Sequence, residues 1–457
     1  MRHPTVVVGL LLLTALGCEG PRLEPDGGSG ISDAPSVERV RITFHAPDGP
    51  GVRVVSSVLY ADPYWVSVRG LPAGETVTIR SRLWGYRGFA DFVVGVDGTV
   101  DCSRDAPVAG TYAGIDPEGL LWSMRAEEAM REPDFDVHYS VELGGEELAR
   151  ATIVRTPLGL DMNVIDVRKA GVVGTLFWRD TGHQSPAVIL LGGSEGGLES
   201  TQLTAAWLAE HGYVALSLGY FGAEGLPPTL DGIRVELVRE ALSWLAERAE
   251  VDDTRFAVMG TSRGSELALE AAARFREIRA VVAVAPSAVR WPGIGGTAWT
   301  FGGEPLGYLS SDARAPTRTL ADGRVVVHAA PVFRDAVAAA SPMELDGASV
   351  HVEDAVAAVL FLGGDADAIW PSCDLARIGL DRLASSGHAA SHPDRLVCVE
   401  GAGHSLGIPG WPTGEFDVSR GLPGGTLLWL GGGAEGIARG RRAFREEVLS
   451  FLEQVLG

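Results

Sequence analysis

Between about residues 39 and 145 the apolar positions recur every second residue. Arg39-Val40-Arg41-Ile42-Thr43-Phe44 alternates polar with apolar, and so do Tyr64-Trp65-Val66-Ser67-Val68-Arg69 and Thr76-Val77-Thr78-Ile79-Arg80-Ser81-Arg82-Leu83-Trp84. A period of two sends alternate side chains to opposite faces of a strand. Turn-forming runs separate these segments, among them Gly70-Leu71-Pro72-Ala73-Gly74 and Asp97-Gly98. Short alternating strands between such turns predict an antiparallel β-sandwich over 39–145. No catalytic cluster falls in it, and it reads as a supporting domain.

From about 146 the pattern changes. Residues 172–178, 187–191, 214–218, 256–260 and 278–284 are apolar runs of strand length. Amphipathic helical segments lie between them, at 200–211, at about 230–248 and after 264. Apolar strands alternating with helices specify a parallel sheet covered on both faces. Such sheets bind ligands beyond the carboxyl ends of their strands. Residues 287–345 break the alternation with Gly, Pro, Trp and polar residues and one helical patch near 332–340, which predicts an insertion acting as a lid or binding wall. Sheet strands return at 359–364 and 396–399, and a closing helix runs over 442–456. The second domain is therefore expected over 146–457.

The first residues read as an export signal. Arg2 precedes the apolar run Val6-Val7-Val8-Gly9-Leu10-Leu11-Leu12-Leu13, too short to span a bilayer, and Ala15-Leu16-Gly17-Cys18 follows. A small residue before cysteine resembles the lipobox of bacterial lipoproteins, although Ala15 stands where that motif prefers Leu. The resemblance implies that 1–17 is a signal peptide and that lipidated Cys18 attaches the protein to a membrane of the cell envelope. Residues 18–38, rich in Gly, Asp, Pro and Ser, would be a flexible linker. If the signal is misread, the protein is cytoplasmic. Export leaves Cys102, Cys373 and Cys398 in an oxidising compartment. Cys373 and Cys398 share a domain and can pair, but they read better as separate small buried residues.

The chain has 457 residues and a formal net charge of −21, which argues against a nucleic-acid partner. No cysteines are spaced as a zinc site, and no motif calls for a metal or cofactor.

Candidate chemistry centres on Gly260-Thr261-Ser262-Arg263-Gly264. An apolar strand precedes it and a strong helix former follows, the context in which Gly-x-Ser-x-Gly exposes a serine at a sharp strand-to-helix bend. A serine hydroxyl needs a base, and the base needs an acid to fix its tautomer. On such a turn the chain order is serine, acid, histidine. Asp367 follows the strand at 359–364 and is the preferred acid, with Asp365 as the fallback. His404 follows the last strand in Gly401-Ala402-Gly403-His404 and is the expected base. A second match, Gly192-Gly193-Ser194-Glu195-Gly196, also follows a strand, but its helix begins only near Ser200. That spacing makes Ser194 a poor nucleophile. The loop suits the second oxyanion donor instead, with backbone N–H groups of Gly193, Ser194 and Glu195 acting beside that of Arg263.

These segments resemble the acyl-CoA thioesterase and bile acid-CoA:amino acid N-acyltransferase family. The resemblance runs through Val66-Ser67-Val68-Arg69-Gly70-Leu71, the stretch from Gly110-Thr111-Tyr112 to Gly119-Leu120-Leu121-Trp122, and Gly192-Gly193-Ser194-Glu195-Gly196-Gly197-Leu198. It continues through His211-Gly212-Tyr213-Val214-Ala215-Leu216-Ser217-Leu218, the serine turn, 364–370 and the histidine loop. It implies an immunoglobulin-like β-sandwich followed by an α/β-hydrolase domain, and a triad of Ser262, Asp367 and His404. Family members with serine as nucleophile look like thioesterases, whereas those that transfer acyl groups to amino acids carry cysteine. The expected activity is hydrolysis of a small-molecule acyl thioester or ester, with acyl transfer to an amino acid or a non-catalytic, ligand-binding surface lipoprotein as the alternatives. An exported protein, however, lies away from cytoplasmic coenzyme A thioesters.

Overall fold

The computed structural model describes residues 40–127, 135–159, 161–169, 171–408, 410–414, 418–419 and 427–457. The expected signal, Cys18 and the linker lie outside the described residues. Among those described, no helix is long and apolar enough to cross a membrane.

The N-terminal domain is a sandwich of a four-stranded and a seven-stranded sheet. The period-two runs form its strands: Trp65–Arg69 buries Val66 and Val68, and Thr76–Leu83 buries Val77 and Ile79. These side chains meet Phe44, Tyr139 and Val141 in one core. The expected boundary after residue 145 is corrected. Gly144 and Gly145 both have positive φ and form a two-residue hairpin, pairing Leu143 with Glu146. The strand Glu146–Thr156 therefore belongs to the sandwich, and the second domain begins after it.

The second domain is built on an eight-stranded sheet. We number its strands β1 (Met162–Lys169), β2 (Val172–Arg179), β3 (Ser185–Leu191), β4 (Val214–Leu218), β5 (Val251–Thr261), β6 (Ile278–Val284), β7 (Ala358–Gly364) and β8 (Arg395–Val399). Their spatial order is β1-β2-β4-β3-β5-β6-β7-β8. β1 and β2 pair antiparallel, β2 is antiparallel to β4, and the remaining neighbours are parallel. This is the α/β-hydrolase arrangement.

Helices cover both faces, as continuous apolar strands require. On one face α2 (Glu236–Ala246), α3 (Arg263–Arg274) and α4 (Ser372–Ser386) pack against Ile189, Val258, Val281 and Phe361. On the other, α1 (Glu199–Glu210) and α5 (Ala434–Leu456) pack against Val188, Leu190, Met259 and Leu360. Each such side chain, fully buried, contributes about 1.5–3 kcal/mol.

The segment between β6 and β7 holds the expected insertion. It contains several short strands and the helices Ala330–Ala339 and Pro342–Ala348, the latter started by a Ser341/Glu344 capping box. Charged pairs join the domains: Arg442 binds Asp116 and Arg445 binds Glu118.

Cys373 and Cys398 form a disulfide with Cα atoms 5.7 Å apart, which corrects the reading of them as separate thiols. The register explains the pairing. Cys398 lies opposite Gly363 across β7 and β8, and Cys373, in the first turn of α4, lies directly against Gly363. Cys102 is a buried free thiol in the sandwich.

Candidate active site

Ser262 stands between β5 and α3 with φ 54° and ψ −120°. Such backbone angles lie outside the ordinary regions for a non-glycine residue and cost about 1–3 kcal/mol. The surrounding packing enforces them. A Cβ on Gly260 would overlap the Gly264 carbonyl, and one on Gly264 would overlap the carbonyls of Leu191 and Gly192. The bend therefore closes only with glycine at both positions. The Ser262 N–H donates to Val284 O at 2.8 Å, tying the turn to β6.

His404 Nε2 lies 2.9 Å from Ser262 Oγ, and His404 Nδ1 lies 2.8 Å from Asp367 Oδ2. The other carboxylate oxygen, Oδ1, accepts from the backbone N–H groups of Ile369 and Trp370 at 3.0 and 3.3 Å. The Asp367 side chain is fully buried, so both its oxygens are held in place. With the imidazole proton on Nδ1, Nε2 faces the serine as an acceptor. That arrangement can remove a hydroxyl proton and stabilise the resulting imidazolium.

Asp365 is not part of this cluster. It is exposed, and its carboxylate accepts from Gly401 N–H at 2.7 Å, fastening the loop that carries His404. The fallback acid is thus a clamp on the histidine loop.

Sequence reasoning did not find the segment that joins the two loops. His404 N–H donates to Leu430 O at 2.7 Å, and Asp367 forms an isolated β-bridge with Gly431. Gly431 has φ +79°, and a Cβ there would overlap Ala366 O. The run Leu430-Gly431-Gly432-Gly433 was the available signal, because consecutive glycines mark close backbone approach. Trp370 was also missed. Its ring stands edge-on to His404 at 5.7 Å, its indole N–H donates to Ala285 O at 3.0 Å, and Phe333 of the insertion packs on it.

The Gly192 to Gly196 loop does lie beside the nucleophile, because Leu191 of β3 pairs with Gly260 of β5. Ser194 is exposed and is not joined to His404. Arg263 opens α3, so its N–H has no partner inside the helix. The Gly193 N–H differs from expectation: it already donates to the Glu195 carboxylate at 2.9 Å. Behind it, Tyr220 donates its hydroxyl to Gly192 O at 2.7 Å and lies 3.1 Å from Gly193 O. The aromatic pair Tyr220-Phe221 just past β4 was the only sequence trace of that anchor.

The Arg263 side chain turns away from the site into the protein. It pairs with Glu266 at 3.0 Å and donates to Trp291 O at 2.8 Å. Glu266 also accepts from the Trp299 indole at 2.7 Å. Burial pushes the Glu266 carboxyl up to about 7, against the opposing pull of Arg263. A cavity of about 240 Å³ lies beside His404, lined among others by Leu190, Thr204, Met259, Leu406 and Phe444, with Glu195 at its edge. No group of three or more potential metal ligands occurs among the described residues.

Two family models match the chain. The acyl-CoA thioester hydrolase/BAAT N-terminal region matches residues 61–169, and the BAAT/acyl-CoA thioester hydrolase C-terminal region matches 233–457. Mitochondrial acyl-coenzyme A thioesterase 2 of Rattus norvegicus is 28% identical over 368 residues, covering 77% of each chain. Acyl-coenzyme A thioesterase 3 of Mus musculus is 28% identical over 386 residues, 81% of this chain and 85% of that one. Among solved structures, a Mycobacterium tuberculosis puromycin-hydrolysing peptidase superposes with a TM-score of 0.43 at 15% identity, over 88% of this chain and 66% of that one. The two models and the length of these matches place the chain in the acyl-CoA thioester hydrolase/BAAT family.

Proposed function

We propose that the protein is a serine hydrolase of acyl thioesters or esters that works through an acyl-enzyme. One observation carries the reading: a single imidazole bridges Ser262 Oγ at 2.9 Å and a buried Asp367 carboxylate at 2.8 Å. The acyl-coenzyme A substrates named for the relatives make acyl-CoA the first class to try.

In this mechanism His404 Nε2 takes the Ser262 proton as Oγ bonds to the acyl carbonyl carbon. The carbonyl oxygen becomes an oxyanion, stabilised by the Arg263 N–H and by a donor of the Gly193 to Glu195 loop. Collapse breaks the carbon–sulfur or carbon–oxygen bond, and the imidazolium returns its proton to the departing thiol or alcohol. Water then attacks the acyl-serine and gives a proton to His404; the bond from the acyl carbon to Oγ breaks, the imidazolium returns that proton to Ser262 Oγ, and free acid leaves. One lost oxyanion donor typically costs ~2.7–4 kcal/mol of transition-state stabilisation.

The test follows thiol release from a series of acyl-CoAs and esters. Wild type should turn over, and Ser262→Ala should fold and be inactive. Wild-type rates in that variant would refute the mechanism. Product analysis with glycine or taurine present separates hydrolysis from acyl transfer: free acid supports the reading, and conjugates overturn it. Attachment through lipidated Cys18 is a separate proposal resting on the sequence around Gly17-Cys18. Incorporation of labelled lipid that disappears in Cys18→Ala supports it, and equal incorporation in both overturns it.

A further inference from the structure

The peptide between Gly192 and Gly193 is held from both sides. Its carbonyl accepts the Tyr220 hydroxyl at 2.7 Å. In a trans peptide the N–H points the opposite way, and the Gly193 N–H meets the Glu195 carboxylate at 2.9 Å. The position a Gly193 Cβ would occupy is 2.7 Å from Glu195 Oε2 and 3.3 Å from Ser262 Cβ. The carboxylate therefore sits in the space next to the nucleophile, on a donor suited to an oxyanion. Gly193 is buried, whereas Glu195 is exposed. Among the described residues no cation pairs with the Glu195 carboxylate, and the Gly193 N–H is the one donor that reaches it.

From this geometry we infer that Glu195 is a resident acceptor that caps the oxyanion donor and must be displaced by each substrate. The inference rests on the serine-hydrolase reading above. A tetrahedral intermediate places negative charge where the Gly193 N–H points. A carboxylate left there competes for the same proton and repels that charge. Because the side chain is exposed and unpaired by any cation, it can rotate into water without leaving a buried charge behind. Tyr220 meanwhile holds the peptide, so the N–H stays aimed at the vacated position. Glu195 thereby sets a threshold: an acyl substrate is processed only when its binding outweighs the loss of the Glu195 contact.

The test compares Glu195→Ala and Glu195→Gln with wild type, using a neutral short-chain acyl thioester and an alkyl boronic acid that forms a tetrahedral adduct on serine. Removing the cap should raise boronate affinity and kcat/KM by about tenfold or more, the factor expected from the lower end of a charge-assisted hydrogen bond. Glu195→Gln keeps an acceptor oxygen without the charge and should fall between. Unchanged or weaker boronate binding in both variants, with Ser262 still labelled by a fluorophosphonate at the wild-type rate, overturns the inference. Should Glu195→Ala fail to fold, Glu195→Gln alone decides by the same criterion. Failure of the underlying mechanism looks different: Ser262→Ala would then retain activity, whatever Glu195 does.

Discussion

His404 Nε2 and Ser262 Oγ lie 2.9 Å apart although 142 residues separate them in the chain. The sheet explains the meeting. The serine leaves the carboxyl end of β5, the histidine leaves that of β8, and parallel strands deliver all such ends to one rim. The loop that leaves β7, next to β8 in the sheet, brings Asp367 behind the imidazole.

The two aspartates of the 365–367 loop should separate cleanly. Asp367→Asn leaves the shape intact but removes the carboxylate that fixes the imidazole tautomer. We expect kcat to fall roughly a thousand- to ten-thousand-fold. Asp365→Asn disturbs only the exposed clamp on Gly401 and should cost less than about tenfold, by analogy with a single surface hydrogen bond. Steady-state kinetics on one thioester checks both, and a reversed ranking would make Asp365 the acid.

Tyr220→Phe tests the anchor behind the Gly193 peptide. Losing one buried hydroxyl contact should lower stability by about 1 kcal/mol. Were the hydroxyl purely structural, kcat would not change. The account predicts a drop of about tenfold in kcat with little change in KM, because an unanchored donor loses its aim mainly in the transition state. A change confined to the melting temperature would count against the anchoring role.

How much of this was legible in the sequence depended on strand ends. Ser262, Asp367 and His404 each follow an apolar run closely, so chain order and strand context singled out three residues that the fold brings into hydrogen-bond contact. The layered architecture was equally visible in the switch from period two to alternating strands and helices. Contacts made by backbone across space were not visible. The glycine run after Leu430 marks a close backbone approach, but it does not say that the approach is to the aspartate and histidine loops. The Glu195 carboxylate on Gly193 N–H depends on the fold of a glycine-rich loop, which composition leaves open. The strand Glu146–Thr156 fell on the wrong side of the expected boundary because its place in the sandwich is set by pairing across the Gly144-Gly145 hairpin, which the local pattern does not show. The Cys373–Cys398 pairing stood only as the less favoured reading because its cysteines, 25 positions apart, are aligned only by the β7–β8 register.

Glu266 should leave a signature in stability against pH. Burial raises its carboxyl from the ordinary 4.5 to about 7 in the folded protein. The folded state thus holds the proton more tightly than the unfolded chain. Its contribution is full below about 4.5 and is lost as pH rises through about 7. Glu266→Gln removes that slope. The stability of the variant relative to wild type should therefore rise between pH 4.5 and 7, the window set by those two values. Denaturant titrations at several pH values check this, and a difference that falls across the window would reverse the sign and refute it.

The Cys373–Cys398 bond ties the start of α4 to β8. Replacing both cysteines by alanine should lower the unfolding free energy by roughly 2–4 kcal/mol. Activity at low temperature should persist, because neither sulfur touches the triad. Equal stability of the variant and the oxidised wild type would show that the bond does not constrain the chain.

The central claim is that Ser262 is the nucleophile. Site-resolved mass spectrometry after fluorophosphonate treatment tests it most directly, with residual thioesterase activity measured in the same samples. The account predicts phosphonylation of Ser262, loss of activity in proportion to its occupancy, and no modification in His404→Ala. Modification of Ser194 instead, or activity that survives full occupancy of Ser262, would contradict it.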